Sequence, residues 1–133
     1  MTENEEMICC RDHLGVKPLE VGAVGFDLGI VSSESSALDV VGATHSGQIQ
    51  AGECVVFDPL SIRRRKHNGS SRRAYCAFEY VYLARADSYI NDIAVYTVRE
   101  RIGEILAEEE DVIGDVIIAV PETAIPFALS YAH

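Results

Sequence analysis

Glu122 and Thr123 stand just past the apolar, β-branched run Asp115-Val-Ile-Ile-Ala-Val120, with Pro121 between. That run has the character of a buried parallel strand, and the spacing after it predicts a helix over 124–132. In an open α/β sheet, ligands sit beyond the carboxyl ends of the strands. Glu122 and Thr123 are therefore the leading candidates for contacting a ligand, the alternative being that they only cap the last helix. Four cysteines, Cys9, Cys10, Cys54 and Cys76, show no repeated spacing. They make neither a disulfide framework nor a CxxC metal knuckle, and read as buried or free thiols in a reducing compartment. Arg63, Arg64, Arg65, Lys66, Arg72 and Arg73 supply six of the eleven cationic residues. A phosphate or nucleic-acid patch would need interleaved aromatics or a helix N-terminus, and neither is visible, so 61–73 reads as a solvated loop.

The elements that must position these groups differ in style along the chain. Met7-Ile-Cys-Cys10 reads as a strand, followed by a turn formed by Asp12 and Gly15. Val16–Gly22 is extended, Gly25–Gly29 a hairpin tip and Gly29–Ser33 the returning strand, which together mean antiparallel sheet. Ser35–Val41 reads as a short helix with Ser33 or Ser35 as N-cap and Gly42 at its end. His45–Gly52 reads as loop and Glu53–Asp58 as strand. The string Cys76-Ala-Phe-Glu-Tyr-Val-Tyr-Leu-Ala-Arg-Ala-Asp-Ser88 reads as a buried strand, with Phe78, Tyr80 and Tyr82 on one face and Val81 and Leu83 on the other. Glu79 within it needs a partner if buried. From Ile93 to Glu109 the pattern is helical, with Val95, Val98, Ile102, Ile105 and Leu106 inward and Arg99, Glu100, Glu104 and Glu108 outward. Arg101 and Glu104 can pair at i,i+3. Antiparallel hairpins thus occupy roughly 1–60, and an αβα rhythm begins after about 76.

The bulk numbers limit the function classes. Apolar residues make up 48% and charged residues 24%, a globular composition. No apolar run approaches the ~18 residues of a membrane span. Met1–Glu6 is acidic where a signal peptide would be basic, so a cytoplasmic location is expected. The net charge of −10 speaks against nucleic acid or anionic membrane as partner.

Several strings resemble amidophosphoribosyltransferase, the glutamine-dependent enzyme that commits phosphoribosylpyrophosphate to purine synthesis. They are Val31-Ser-Ser-Glu-Ser-Ser-Ala-Leu-Asp-Val-Val-Gly-Ala43, then Cys76–Ser88, Val95-Tyr-Thr-Val-Arg99, Gly103-Glu-Ile-Leu-Ala107 and Val120-Pro-Glu-Thr-Ala124, in the family's order. Arg11-Asp-His-Leu-Gly-Val-Lys-Pro-Leu19 is less specific, because other N-terminal-nucleophile amidotransferases share it. The central FEYVYLARADS string is specific to the purine enzyme. The resemblance is to an internal portion and covers nearly the whole chain.

What the resemblance implies is an α+β and α/β fold: the end of an Ntn-type αββα glutaminase domain over 1–60, then a linker and the start of a type I phosphoribosyltransferase domain over 61–133. The full enzyme makes 5-phosphoribosylamine from phosphoribosylpyrophosphate and glutamine, uses magnesium and is a homo-oligomer. Thr123 matches a position that contacts magnesium and pyrophosphate, and a hydroxyl oxygen suits that hard ion. Glu122 belongs to the same loop. Cys76 matches the first ligand of a 4Fe-4S cluster found in one branch, which one cysteine cannot hold alone. No catalytic residue carries over. The nucleophilic cysteine uses its own free α-amine as base, and neither Cys9 nor Cys10 fits that role. Ala86 replaces the family's usual proline. The chain alone is expected to be inactive, the alternative being a non-catalytic interaction or regulatory piece of that enzyme. Unpaired strand edges are expected to promote association.

Overall fold

Met7 to Cys10 (β1) lies antiparallel to Glu53 to Asp58 (β5), with Cys9 opposite Val55 and Cys10 opposite Cys54. Ser61–Lys66 (β6) pairs with the other edge of β5, giving the order β1-β5-β6. A second three-stranded sheet has the order β3-β2-β4, built from Glu20–Val24 (β2), Leu28–Ser32 (β3) and Thr44–Gln48 (β4). These observations come from a computed structural model that describes residues 2–3, 5–66 and 72–133. The chain divides into two units, Met1–Cys76 and Ala77–His133. Among the described residues, no helix is long and apolar enough to cross a membrane.

The first unit buries Val21, Ile49, Val55 and Phe57 from both sheets, with Met7, Cys9, Leu19 and Val31 packed against them. Full burial of each aliphatic side chain contributes roughly 1.5–3 kcal/mol. Charged groups inside this unit are all engaged. The Arg11 guanidinium donates to the carbonyls of Ile49 (3.0 Å) and Gly15 (2.9 Å). Glu20 accepts from Gln48 Nε2 at 2.7 Å and lies 2.8 Å from His45 Nε2. The turn after β1 forms as Asp12 and Gly15 require: the Asp12 carboxylate accepts the N–H groups of Leu14 and Val16, both at 2.9 Å.

Two segments expected to be loops are strands. β4 carries Ser46 and Gly47, which weaken any β signal, yet pairing with β2 across a bulge at Val21/Gly22 decides its conformation. β6 is an exposed edge strand, so no apolar alternation marks it. Its cations are what an edge strand carries to discourage further pairing. Arg63 bridges Glu6 and Asp58, at 2.8 and 3.1 Å. Arg64 donates to the carbonyls of Gln48 and Ser46 in the other sheet, at 3.0 and 3.2 Å. The loop reading of Asn68–Ser71 lies outside the described residues.

The helix Ser35–Val40 (α1) has Glu34 as N-cap, not Ser33 or Ser35, and no side chain caps it. Gly42 ends it at φ +69°, with its N–H on Asp39 O. The thiol reading is also corrected. Cys10 and Cys54 form a disulfide, because the antiparallel register brings residues 44 apart in sequence directly opposite. Cys9 and Cys76 remain free thiols.

In the second unit the central string is not a strand. Ala77 and Phe78 begin a helical segment that continues as a π-helical turn over Glu79–Leu83, closed by Ala84 N–H to Glu79 O at 3.0 Å. Nearly every residue of the run is apolar or aromatic, and such a run carries no period that separates strand from helix. Tertiary contacts decide it: Tyr80 and Ala84, four apart, both join the cluster of Ile90 and Val95. Phe78, Val81, Tyr82 and Leu83 are exposed. A short hairpin pairs Tyr89–Ile90 (β7) with Ile93–Ala94 (β8) and leads into Val95–Glu109 (α2). α2 packs on Ile125–Tyr131 (α3), whose first turn holds Pro126, where a missing N–H costs nothing. The Arg101–Glu104 pair forms at 2.8 Å. Arg99, however, faces inward at 2% exposure, while Ile105 and Leu106 are exposed. Asp115–Val120 is likewise no strand, since a ladder needs a partner and none pairs with it among the described residues.

Candidate functional site

The folded central string, the first turns of α2 and the turn before α3 meet around a cavity of about 620 Å³ in the second unit. Its wall runs from Tyr82 to Asp87, and continues through Tyr96, Arg99, Glu122 and Thr123. The two site residues expected from the sequence are thus brought beside the most distinctive string in the chain. Thr123 is half-buried and Glu122 exposed. Neither caps α3: its N-cap is Ala124, with no side-chain cap bond. The simple capping alternative therefore fails. The Pro121–Glu122 peptide bond is cis.

Arg99 fixes the wall from behind. Its Nε donates to Tyr80 O at 2.8 Å and its Nη2 to Ala84 O at 2.6 Å. These two carbonyls bracket the π-helical turn, so one side chain of α2 holds both ends of it. Tyr80 is secured further, since its hydroxyl donates to Ile90 O at 3.1 Å and accepts from Asn91 Nδ2 at 3.1 Å. Ser88 is fully buried, and its carbonyl accepts the Val95 N–H that opens α2.

At the mouth, Arg85 clasps Asp87 through two bonds, Nε to Oδ1 at 3.0 Å and Nη2 to Oδ2 at 2.8 Å. That hydrogen bonding holds the Asp87 carboxyl below its usual value, against a smaller opposing effect of burial. Both side chains are largely exposed, so the pair adds little stability and orders the loop instead. The wall therefore combines two guanidiniums, two carboxylates and three hydroxyls, those of Tyr82, Tyr96 and Thr123. Such a set can bind a polar, anionic ligand, but it holds no thiol nucleophile.

Cys76 is not part of this cavity. It belongs to the first unit, where its N–H donates to Val16 O at 3.2 Å and its Sγ lies 3.8 Å from Lys17 Nζ. Arg99, expected on the outward face of α2, and Tyr96, named only within the Val95–Arg99 family string, are wall residues that the sequence did not offer as site residues. The signal for Arg99 was its place four residues after Val95 and four before Gly103, which together form the buried face of α2.

Comparison with known proteins then decides the family. No protein-family model matches the chain. The chain is 38% identical to amidophosphoribosyltransferase of Bacillus subtilis over 133 residues, all of this chain and 28% of that protein. It is 42% identical over 134 residues to the Mycobacterium tuberculosis amidophosphoribosyltransferase, covering 25% of it. The chain belongs to the amidophosphoribosyltransferase family. The fold agrees. The solved glutamine phosphoribosylpyrophosphate amidotransferase from B. subtilis, complexed with ADP and GMP, superposes with a TM-score of 0.90 at 38% identity, over 99% of this chain and 29% of that one. A structure described as the allosteric regulatory enzyme of purine biosynthesis gives a TM-score of 0.91. The chain thus spans somewhat under a third of the length of the amidophosphoribosyltransferases it matches.

Proposed function

We propose that the chain is the portion of an amidophosphoribosyltransferase where the end of an Ntn-type glutaminase domain passes into the start of a phosphoribosyltransferase domain. In that setting it serves the synthesis of 5-phosphoribosylamine from phosphoribosylpyrophosphate and glutamine, in a cytoplasmic homo-oligomer. The observation that carries the reading is the 620 Å³ cavity, where the Tyr82–Asp87 wall meets Glu122 and Thr123. By itself the chain makes no phosphoribosylamine. None of Cys9, Cys10, Cys54 and Cys76 carries the free α-amine that the family's nucleophile needs as base, and two of the four are joined in a disulfide.

Within the cavity, Thr123 would hold the magnesium–pyrophosphate group and Glu122 would border it. The donor set fits that ion in a limited way. Among the described residues, no three His, Cys, Asp or Glu side chains gather to hold a metal. Magnesium usually keeps few protein ligands and shares phosphate oxygens, which one hydroxyl and one carboxylate allow. When bound, it would neutralise phosphate charge. The chain's own residues orient: Arg99 holds the wall and Arg85 orders Asp87. Cys76, whose Sγ lies 3.8 Å from the Lys17 ammonium, would supply one of the four thiolates that a 4Fe-4S cluster takes in the full-length parent.

The test is to give the purified chain phosphoribosylpyrophosphate, magnesium and either glutamine or ammonia, and to titrate it separately with magnesium pyrophosphate. The expected result is no pyrophosphate release above a Thr123→Ala control, with binding weakened in that variant. Turnover that disappears in Thr123→Ala would overturn the inactivity. Equal binding by both proteins would overturn the site.

A further inference from the structure

Cys10, Cys54 and Arg65 form one cross-strand row, because Cys10 pairs with Cys54 in β1–β5 and Cys54 pairs with Arg65 in β5–β6. Paired residues of an antiparallel ladder project to the same face. This face is the outer one: Cys10 and Arg65 are exposed and Cys54 half-buried, whereas the next row, Cys9 and Val55, turns toward the core. The period of two along β1 therefore separates two adjacent thiols, one outward and bridged, the other inward and free.

We infer that Cys10 and Cys54 are a reversible redox modification site that takes low-molecular-weight thiols and disulfides as exchange partners. Exchange requires a thiolate, solvent access and a second sulfur within reach. The row supplies solvent access and the second sulfur, and it sets the cation Arg65 opposite Cys54 on the same face, where positive charge would favour the thiolate. Cys9 is poorly suited, since burial raises its thiol pKa. In the oxidising direction, the thiolate of one cysteine attacks a sulfur of a small disulfide RSSR and releases RS⁻. The second thiolate then attacks the protein sulfur of the mixed disulfide and releases another RS⁻. Two protein thiols and one RSSR become one protein disulfide and two RSH. In the reducing direction RS⁻ attacks the exposed Cys10 sulfur and Cys54 leaves as thiolate; a second RS⁻ then attacks the R sulfur of the mixed disulfide, releasing the Cys10 thiolate and RSSR.

The bridge acts on the fold at a definite place. β1 is an edge strand of its sheet, held laterally by β5 alone among the described residues. It leads directly into Arg11, whose N–H is held by Glu53 O at 2.9 Å. Oxidation pins this edge where the buried Arg11 begins, and reduction leaves it to its ladder bonds.

The experiment equilibrates the full chain, without denaturant, in reduced and oxidised glutathione mixtures, then alkylates and maps the cysteines. Cys10 and Cys54 should alkylate in the reducing mixture, be linked in the oxidising one and return on reversal, with Cys9 and Cys76 unlinked throughout. Arg65→Ala should slow bridge formation about threefold through a smaller thiolate fraction. Amide exchange at residues 8–10 should be at least about tenfold faster in the reduced protein. Cys54→Ser should give the fast exchange in both mixtures. A pair that stays reduced at every ratio, a bridge through Cys9, or a bridge that opens only in denaturant would overturn the site. Identical exchange at 8–10 in both states would overturn the pinning.

Discussion

Arg99 Nη2 donates to the carbonyl oxygen of Ala84 at 2.6 Å, and both residues are buried at 2% exposure. The same guanidinium holds Tyr80 O at 2.8 Å. An α-helix thus supplies hydrogen bonds to carbonyls at the end of a π-helical turn, and the cavity wall follows from that arrangement.

Replacing Arg99 with Met should cost the second unit roughly 3 kcal/mol, since each hydrogen bond from a charged donor contributes roughly 1.5–3 kcal/mol and the two are not additive. Arg99→Lys cannot span both carbonyls with a planar fork and should recover only part of the loss. Urea unfolding measures the stability, and amide exchange at Tyr80–Ala84 measures the wall. Wild-type protection of those amides in Arg99→Met would show that the turn holds itself.

Gly103 faces α3 so closely that a Cβ would collide with Ser130 Oγ and the Phe127 carbonyl. Gly103→Ala should therefore push α2 from α3 and destabilise the unit by roughly 1–3 kcal/mol, despite alanine's better helix propensity. Gly42→Ala is the contrast. Among the described residues, nothing lies within 4 Å of its Cβ position, so only the strain of φ +69° is incurred, roughly 1 kcal/mol. Thermal melts of both variants separate the effects. A larger loss at Gly42 than at Gly103 would mean that α2 and α3 can separate there at little cost.

The antiparallel half was readable because its turns announce themselves: Asp12 with Gly15, Gly25 at a hairpin tip and Gly42 after α1 all punctuate short β-rich runs. α2 and α3 were readable from period and length. What escaped was decided by partners distant in sequence. β6 is a strand because β5 offers an edge, and its charged residues carry no pattern that says so. Cys10 and Cys54 pair through register, which no spacing in the sequence encodes. Phe78–Leu83 turns helical because Arg99, Ile90 and Val95 hold Tyr80 and Ala84 four residues apart. Of the site, the positions of Glu122 and Thr123 were legible as a turn after an apolar run. The opposing wall was legible only as a family string, because its geometry depends on an arginine expected to face solvent.

Asp58 provides a pH test of the β5–β6 hairpin. Its carboxyl is held below the usual 3.8, first by the Ser61 hydroxyl at 2.7 Å, then by the Leu60 N–H at 2.9 Å, with Arg63 adding attraction. A carboxyl with a folded pKa below its unfolded one stabilises the fold above the unfolded value. That contribution is lost as pH falls through the folded pKa. The hairpin should thus weaken as pH falls below the ordinary 3.8, where Asp58 takes up a proton and the Ser61 and Leu60 bonds lose their charged acceptor. In Asp58→Asn the side-chain oxygen still accepts, but no proton is gained, so amide exchange across β5–β6 should depend less steeply on pH there. The Arg63–Glu6 bond at 2.8 Å remains in that variant and keeps β6 tied to the chain before β1. Parallel pH profiles for wild type and Asp58→Asn would mean that the acid sensitivity of the hairpin comes from another carboxylate.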